Sequence, residues 1–150
     1  MQPRIEARKL LQELKLNTLP IDMTGLCNAL GIEVLYDSMT GLDGYFIQNP
    51  ERQKFFIVVG DSVGLRRQRF SIAHELGHIR MHHGRVGFSI TGKVTRSSHL
   101  EANANMFASE LLMPKLLLQR FGHLEPEQIA DICQVSLDTA TIRAREMGWA

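Results

Sequence analysis

Two histidines and one glutamate near the middle of the chain have the types and the spacing needed for metal-assisted hydrolysis. The stretch His74-Glu75-Leu76-Gly77-His78 places the histidines four residues apart. On a helix, such residues lie about 6 Å apart along the axis and project from one face, so both imidazoles can bind one ion. Glu75 lies one residue round, where it can take a proton from a water molecule on the metal without being a ligand. The motif therefore predicts a metal site with its own general base.

A catalytic zinc needs a third protein ligand as well as an open position. The pattern HExxHxxGxxH requires glycine at 81 and histidine at 84, whereas this chain has Met81 and Gly84. His82 shares the helix face, but it is attached about 12 Å along the axis from His74, too far for one tetrahedral ion. The third ligand is therefore expected on another element.

The segment 101–112 is rich in Ala, Leu and Glu and is predicted to form a helix that carries this ligand. Glu101 opens the segment, and the small side chains of Ala104 and Ala108 would let it approach the HExxH helix closely. Glu110 is the rival carboxylate. It stands about half a turn round from Glu101, so we expect it to face away from the metal and to be solvated.

Two longer strings around these residues closely resemble one protein family. They are RQRFSIAHELGH at 67–78 and EANANMFASELLMP at 101–114, and an upstream helix, the string LGIEV and a hairpin occur in the expected order. On these motifs the chain resembles the ImmA/IrrE family of zinc metallopeptidases over roughly residues 5–121.

The resemblance implies roles for four residues. His74, His78 and Glu101 would be the ligands of a catalytic zinc, and Glu75 would be the catalytic base. It also implies a bacterial regulator that is encoded on a mobile element or takes part in a stress response, since several members act by cleaving a helix-turn-helix repressor.

The remaining patterns predict the elements that position this site. Strands are expected at 32–36, 45–47 and 55–59, the last two as a hairpin. The HExxH helix is expected to begin at Asp61 or Ser62 and to run to about Gly84, followed by a loop over 84–99. Other helices are predicted at 4–15, 21–30, 100–112, 114–120, 126–133 and 136–147. Asp22 or Thr24 can cap the second of these and Gly31 can end it in a left-handed conformation, while Pro114 should end or kink the helix at 100–112. This order indicates an α+β fold in which a small sheet of about three strands packs against helices.

The last thirty residues form a separate feature. We divide the chain into a metallopeptidase domain, 1–121, and a helical extension, 122–150, that packs on the same domain. The extension has the spacing of a helix-turn-helix, with Ser136 beginning the second helix. Asp138, Arg143, Arg145 and Glu146 cancel in charge, which argues against direct DNA binding and favours a docking or substrate-recognition element.

Composition narrows the class of protein further. Lys and Arg number 17 and Asp and Glu 16, a net charge of +1 that is not typical of a general polyanion binder. Cys27 and Cys133 lie far apart and form no CxxC pair, which indicates buried core residues and a reducing compartment. Charges interrupt every apolar stretch of the N-terminus, so we expect a cytoplasmic protein with no membrane partner.

Several side chains keep more than one interpretation. Tyr45, His82, Arg96 and His99 are equal candidates for stabilising an oxyanion. Core packing is predicted for Phe70, Ile72, Ile79, Phe107, Leu111 and Met113, and a surface position for His83, His99 and His123.

Three functions follow as hypotheses. The leading one is a zinc endopeptidase that cleaves and inactivates a helix-turn-helix repressor or antitoxin in a prophage, mobile-element, toxin–antitoxin or stress-response module. The alternative is a zinc-stabilised interaction protein that binds and neutralises a regulator without cleaving it. The third is a DNA-binding regulator that acts through the C-terminal helices.

Overall fold

A computed structural model describes residues 2–38, 43–49, 51, 53–81 and 98–149. Its helices are α1 (Pro3–Glu13), α2 (Met23–Ala29), α3 (Leu65–Arg80), α4 (Ser98–Leu112), α5 (Lys115–Leu118), α6 (Pro126–Cys133) and α7 (Leu137–Glu146), with a 3-10 turn at Gln119–Phe121. Its strands are β1 (Glu33–Asp37), β2 (Gly44–Asn49) and β3 (Lys54–Gly60). The fold is α+β, as predicted.

The three strands form one mixed sheet with β3 in the centre. β1 pairs with β3 in parallel, and β2 pairs with β3 in the antiparallel sense, with Tyr45 opposite Val58 and Phe46 opposite Ile57. The predicted hairpin is therefore confirmed. The second half of β3 is buried, which suits its run of β-branched residues because a central strand packs on both faces.

Small residues set the distance between α3 and α4, the two helices that carry the metal motif. Ala104 and Ala108 are fully buried in their contact. On α3, a Cβ added at Gly77 would lie 3.0 Å from the ring of Phe107, closer than ordinary packing allows. A larger residue at any of these positions would push the helices apart and separate their functional side chains.

The predicted caps of α2 and α7 are present. The side chain of Asp22 accepts a hydrogen bond from the backbone N–H of Gly25 at 3.0 Å, and that of Ser136 accepts one from Thr139 at 3.2 Å. Gly31 has φ +71°, the left-handed conformation expected after α2. Both helices begin where their polar side chains satisfy an end N–H group.

The predicted start of α3 is wrong. The helix begins at Leu65, and its N-cap is Gly64, which makes no side-chain capping bond. Asp61 and Ser62 belong to a turn, and the backbone N–H of Asp61 donates to the carbonyl of Asp37 at 3.0 Å. This hydrogen bond joins Asp61 to the end of β1, so the helix cannot begin at the residue whose type favoured an N-cap.

The other end of α3 also differs from the prediction. α3 ends at Arg80 rather than near Gly84, and α4 begins at Ser98, two residues early. The predicted loop at 84–97 lies outside the described residues. Pro114 follows the end of α4 and caps α5, so its predicted effect is confirmed.

The C-terminal helices are tied to the rest of the chain by Arg69 of α3. Its guanidinium donates to the carbonyls of Ile21 at 2.9 Å, Cys133 at 3.1 Å and Gln134 at 3.1 Å. One side chain therefore joins the start of α2 to the end of α6. The division of the chain at residue 121 stays a prediction.

Both cysteines are free and buried, as predicted. Burial raises the pKa of Cys27 to about 11 and that of Cys133 to about 12, so both thiols stay protonated at neutral pH. Within the described ranges, no helix combines the length and the hydropathy needed to cross a bilayer.

Candidate metal centre

α3 and α4 bring together the three side chains of the predicted ligand set. The distances are 2.9 Å from Nε2 of His78 to Oε1 of Glu101 and 3.0 Å from Nε2 of His74 to Oε2 of Glu101. The two Nε2 atoms lie 3.2 Å apart. In a tetrahedral zinc site with bonds of about 2.0–2.2 Å, ligand atoms lie roughly 3.3–3.6 Å apart, close to this arrangement.

The hydrogen bonding of the set also fits a cation. Nδ1 of His74 lies 2.7 Å from Oδ1 of Asn105, so the imidazole donates there and, when neutral, carries no proton on Nε2. This Nε2 then faces the Glu101 carboxylate with lone pairs on both atoms. A positive charge between them relieves the repulsion, and two imidazoles with one carboxylate are a ligand set that zinc accepts.

A side chain of the sheet packs against the imidazole of His78. His78 is fully buried, and the ring of Phe46 on β2 lies 6.4 Å from it between centroids, at 28°. Glu101, in contrast, keeps 43% of its side chain exposed. The centre is thus enclosed on the side of the sheet and accessible on the side of α4.

The accessible side opens into a cavity of about 400 Å³. Glu75 lines this cavity next to His74 and is 6% exposed, so it lies beside a space that a substrate can enter. Further lining residues come from β2, α3 and α4, among them Gly44, Phe70, Ser71 and Asn105.

An ion pair forms another part of the cavity lining. Nε of Arg67 on α3 donates to Oδ2 of Asp43 at 2.6 Å, and both residues line the cavity. This hydrogen bond and the attraction of Asp43 raise the pKa of Arg67. The pair connects α3 to the residue that precedes β2, so it links the two elements that border the cavity.

A comparison with protein families agrees with this geometry. Residues 27–145 match the family model Peptidase_M78, described as the IrrE N-terminal-like domain. The chain belongs to this family.

Relatives of this IrrE-like domain include one curated protein and one solved structure. Metallopeptidase ImmA of Bacillus subtilis (strain 168) is 30% identical over 111 residues, which are 70% of this chain and 64% of ImmA. A Mycobacterium tuberculosis transcriptional regulator has the same fold, with a TM-score of 0.69 and 18% identity over 93% of this chain and 45% of that one. The chain thus spans less than two thirds of either protein's length.

Glu110 is buried, whereas the sequence led us to expect that it is solvated. It is 1% exposed and accepts hydrogen bonds from Arg8 at 3.0 and 3.2 Å, from Arg143 at 3.0 Å and from the backbone N–H of Lys115 at 2.8 Å. The predicted half-turn between Glu110 and Glu101 places them on different sides of α4, but α1 packs on the side of Glu110 and Arg143 of α7 reaches it. Burial of Arg143, at 3% exposure, also removes it from the surface available to DNA.

Of the four candidates for stabilising an oxyanion, the structure describes Tyr45 and His99. Tyr45 is half-buried on β2, and His99 is exposed on α4 beside Asn103, but neither is among the residues that line the cavity. His82, His83 and Arg96 lie outside the described residues. His123 is exposed, as predicted.

Sequence reasoning missed three contributors to the site. Phe70 and Ile79 are partly buried and pack against the core, and Phe70 also lines the cavity. The other predicted core residues, Ile72, Phe107, Leu111 and Met113, are buried. Asn105 lies one turn after Glu101 on α4, and this spacing is the signal that it could orient a ligand. The pairing of Arg67 with Asp43 has no signal in the sequence because the two residues meet only in the folded chain.

Proposed function

We propose that this chain is a zinc-dependent endopeptidase in which His74, His78 and Glu101 hold the metal and Glu75 is the catalytic base. One observation carries the proposal. The three ligand side chains converge within 3.2 Å of one another. Two of them, His74 and Glu101, line a cavity of about 400 Å³ together with Glu75. A purely structural metal site is normally closed by four protein ligands, whereas the described residues supply three here and leave one side open.

Each residue then has a defined task. When bound, zinc would polarise the peptide carbonyl and make water at the site more acidic. Glu75 accepts the proton as water attacks the carbonyl carbon, and then donates it to the nitrogen of the leaving amine. Asn105 holds the ring of His74, so that its Nε2 atom keeps pointing into the centre.

For the substrate, we propose a helix-turn-helix repressor or antitoxin in the cytoplasm. Membership of the IrrE-like family and the names of the two relatives, a metallopeptidase and a transcriptional regulator, support a regulatory peptidase. Two free, buried thiols support a reducing compartment. The net charge of +1 and the burial of Arg143 speak against DNA as the direct partner.

The variant Glu75→Gln tests the proposal because it keeps the shape of the side chain and removes its basicity. We expect the rate at which the protein cleaves a helix-turn-helix repressor, chosen as the probe because its gene adjoins this one, to fall by roughly 100-fold or more. Zinc content, measured by atomic emission, should remain one ion per chain.

The same variant separates cleavage from capture. If wild-type protein binds the repressor without cutting it, and Glu75→Gln neutralises the repressor equally well, the chain is the non-cleaving interaction protein of the alternative hypothesis. His74→Ala is the matched control, since it should remove zinc as well as cleavage.

A further inference from the structure

A second cavity lies beside the metal centre, between α4 and α7. It has a volume of about 210 Å³, half that of the main cavity. α4 contributes Met106 and Ser109 to it, and α7 contributes Thr139 and Ile142. We refer to this cavity as the α4–α7 groove.

The groove continues directly from the cavity at the metal centre. Phe70 and Asn105 line both of them, and Asn105 also binds the ring of His74. A peptide that placed a carbonyl beside His74 and continued past Phe70 would enter the groove without crossing any helix.

Helix geometry gives the distance between the groove and the site of reaction. With a rise of about 1.5 Å per residue, Asn105 lies roughly 6 Å from Glu101 along α4, and Ser109 lies roughly 12 Å from it. An extended peptide advances about 3.3 Å per residue. The groove would therefore receive a side chain about two to four residues from the reacting bond.

The lining favours an apolar occupant. Phe70, Met106 and Ile142 supply its large side chains, and Ile142 is 58% exposed although it is aliphatic. A methionine adapts to apolar side chains of different shape because its thioether chain is flexible.

The one charged residue in the lining is already neutralised. Glu146, at the far end of the groove, is paired with Arg4 and lies 3.7 Å from Arg143. A cationic side chain in the groove would therefore compete with two arginines for this carboxylate. The charges at this end leave apolar contact as the main source of binding energy.

We propose that the α4–α7 groove is a substrate subsite that binds one large apolar side chain, Leu, Met or Phe, two to four residues from the scissile bond. This inference rests on the proposed peptidase function and assigns substrate selection to α7. The C-terminal helices are then part of the peptide-binding surface rather than a separate DNA-binding unit.

The test uses a degenerate dodecapeptide library with the zinc-loaded protein. Peptides captured by Glu75→Gln are sequenced, and so are the products that the wild-type protein releases. We expect Leu, Met and Phe to be enriched at least about threefold at one position, two to four residues from the cleaved bond. In the double variant Glu75→Gln, Ile142→Asp, this enrichment should disappear.

Leu137→Asp is the matched control, because Leu137 is an exposed apolar residue on the same helix that does not line the groove. It should keep the enrichment, and circular dichroism should show native helix content in both aspartate variants. If captured peptides are enriched in Leu, Met or Phe, Ile142→Asp abolishes that enrichment and no peptide is cut, the groove binds apolar side chains and the peptidase function fails. If peptides are cut without the enrichment, if Ile142→Asp leaves it unchanged, or if none are captured, the subsite proposal is overturned.

Discussion

Two glutamates of α4 are nine residues apart in the sequence and face environments that differ in almost every respect. Glu101 keeps 43% of its side chain exposed and lies against His74 and His78, two groups that carry no fixed charge. Glu110 is 1% exposed and receives hydrogen bonds from two arginines and one backbone N–H group. The same helix thus presents one carboxylate to a cavity and buries the other among cations.

The difference shows what each carboxylate is able to do. Glu110 already has hydrogen-bond donors on both oxygens and permanent positive charge beside it, so a further cation would gain little there. It holds together α1, α5 and α7 around the C-terminal half of α4. Glu101 lies beside two imidazoles and is partly exposed, so its negative charge is available to a cation such as the proposed zinc. One end of α4 stabilises the fold, and the other end carries the proposed chemistry.

The largest effect is expected at the cavity end. Glu101→Ala removes one of three ligands, and we expect zinc affinity to fall on the order of a thousandfold, more than the roughly 10- to 100-fold typical of an outer-shell partner. Competition with a chromophoric chelator measures this change. In metal-free protein, the free energy of unfolding should change by less than about 1 kcal/mol, because the side chain is partly exposed.

Glu110→Gln should have the opposite profile. It leaves the buried Arg143 without its main counter-charge, and breaking a buried pair in this way typically costs about 3–5 kcal/mol. Urea unfolding of the metal-free protein measures the loss. At temperatures where the variant is folded, it should still bind one zinc; a folded Glu110→Gln protein without zinc would reverse the assignment of the two glutamates.

A smaller effect is expected from Asn105→Ala, which removes the acceptor that orients His74. We predict that zinc affinity falls by roughly 10- to 100-fold, while stability changes little. Asn103→Ala is the control on the same helix, since Asn103 contacts His99 rather than a residue of the ligand set. Equal losses of zinc affinity in both variants would show that Asn105 acts only through the stability of α4.

The smallest change in stability is expected from a variant at the start of α7, the helix that carries Arg143. Ser136→Ala removes the side chain that caps α7, and a lost cap typically costs about 1 kcal/mol. Thermal or urea unfolding should detect this loss with no change in zinc affinity. A drop in zinc affinity would mean that the two ends of α4 are coupled, contrary to the comparison above.

Local patterns predicted most of the elements that carry this site. The apolar runs at 45–47 and 55–59, which flank the turn sequence 49–52, predicted the hairpin. Pro114 and Gly31 predicted helix ends, because turn chemistry acts between near neighbours in the chain. The start of α3 was predicted wrongly because it depends on a contact that is not local. A contact between Asp61 and Asp37, 24 residues apart, decided it, and no local signal reports such a contact.

The sequence by itself determined the candidate chemistry, since the spacing of His74, Glu75 and His78 places them on a helix face by the repeat of the helix alone. Only the tertiary structure decided which acidic residue joined them. Helical phase separates Glu101 from Glu110, but it does not say what covers each side of the helix. The packing of α3 on one face of α4 placed Glu101 beside two imidazoles. The packing of α1 on another face, with Arg143 reaching in from α7, placed Glu110 between two arginines.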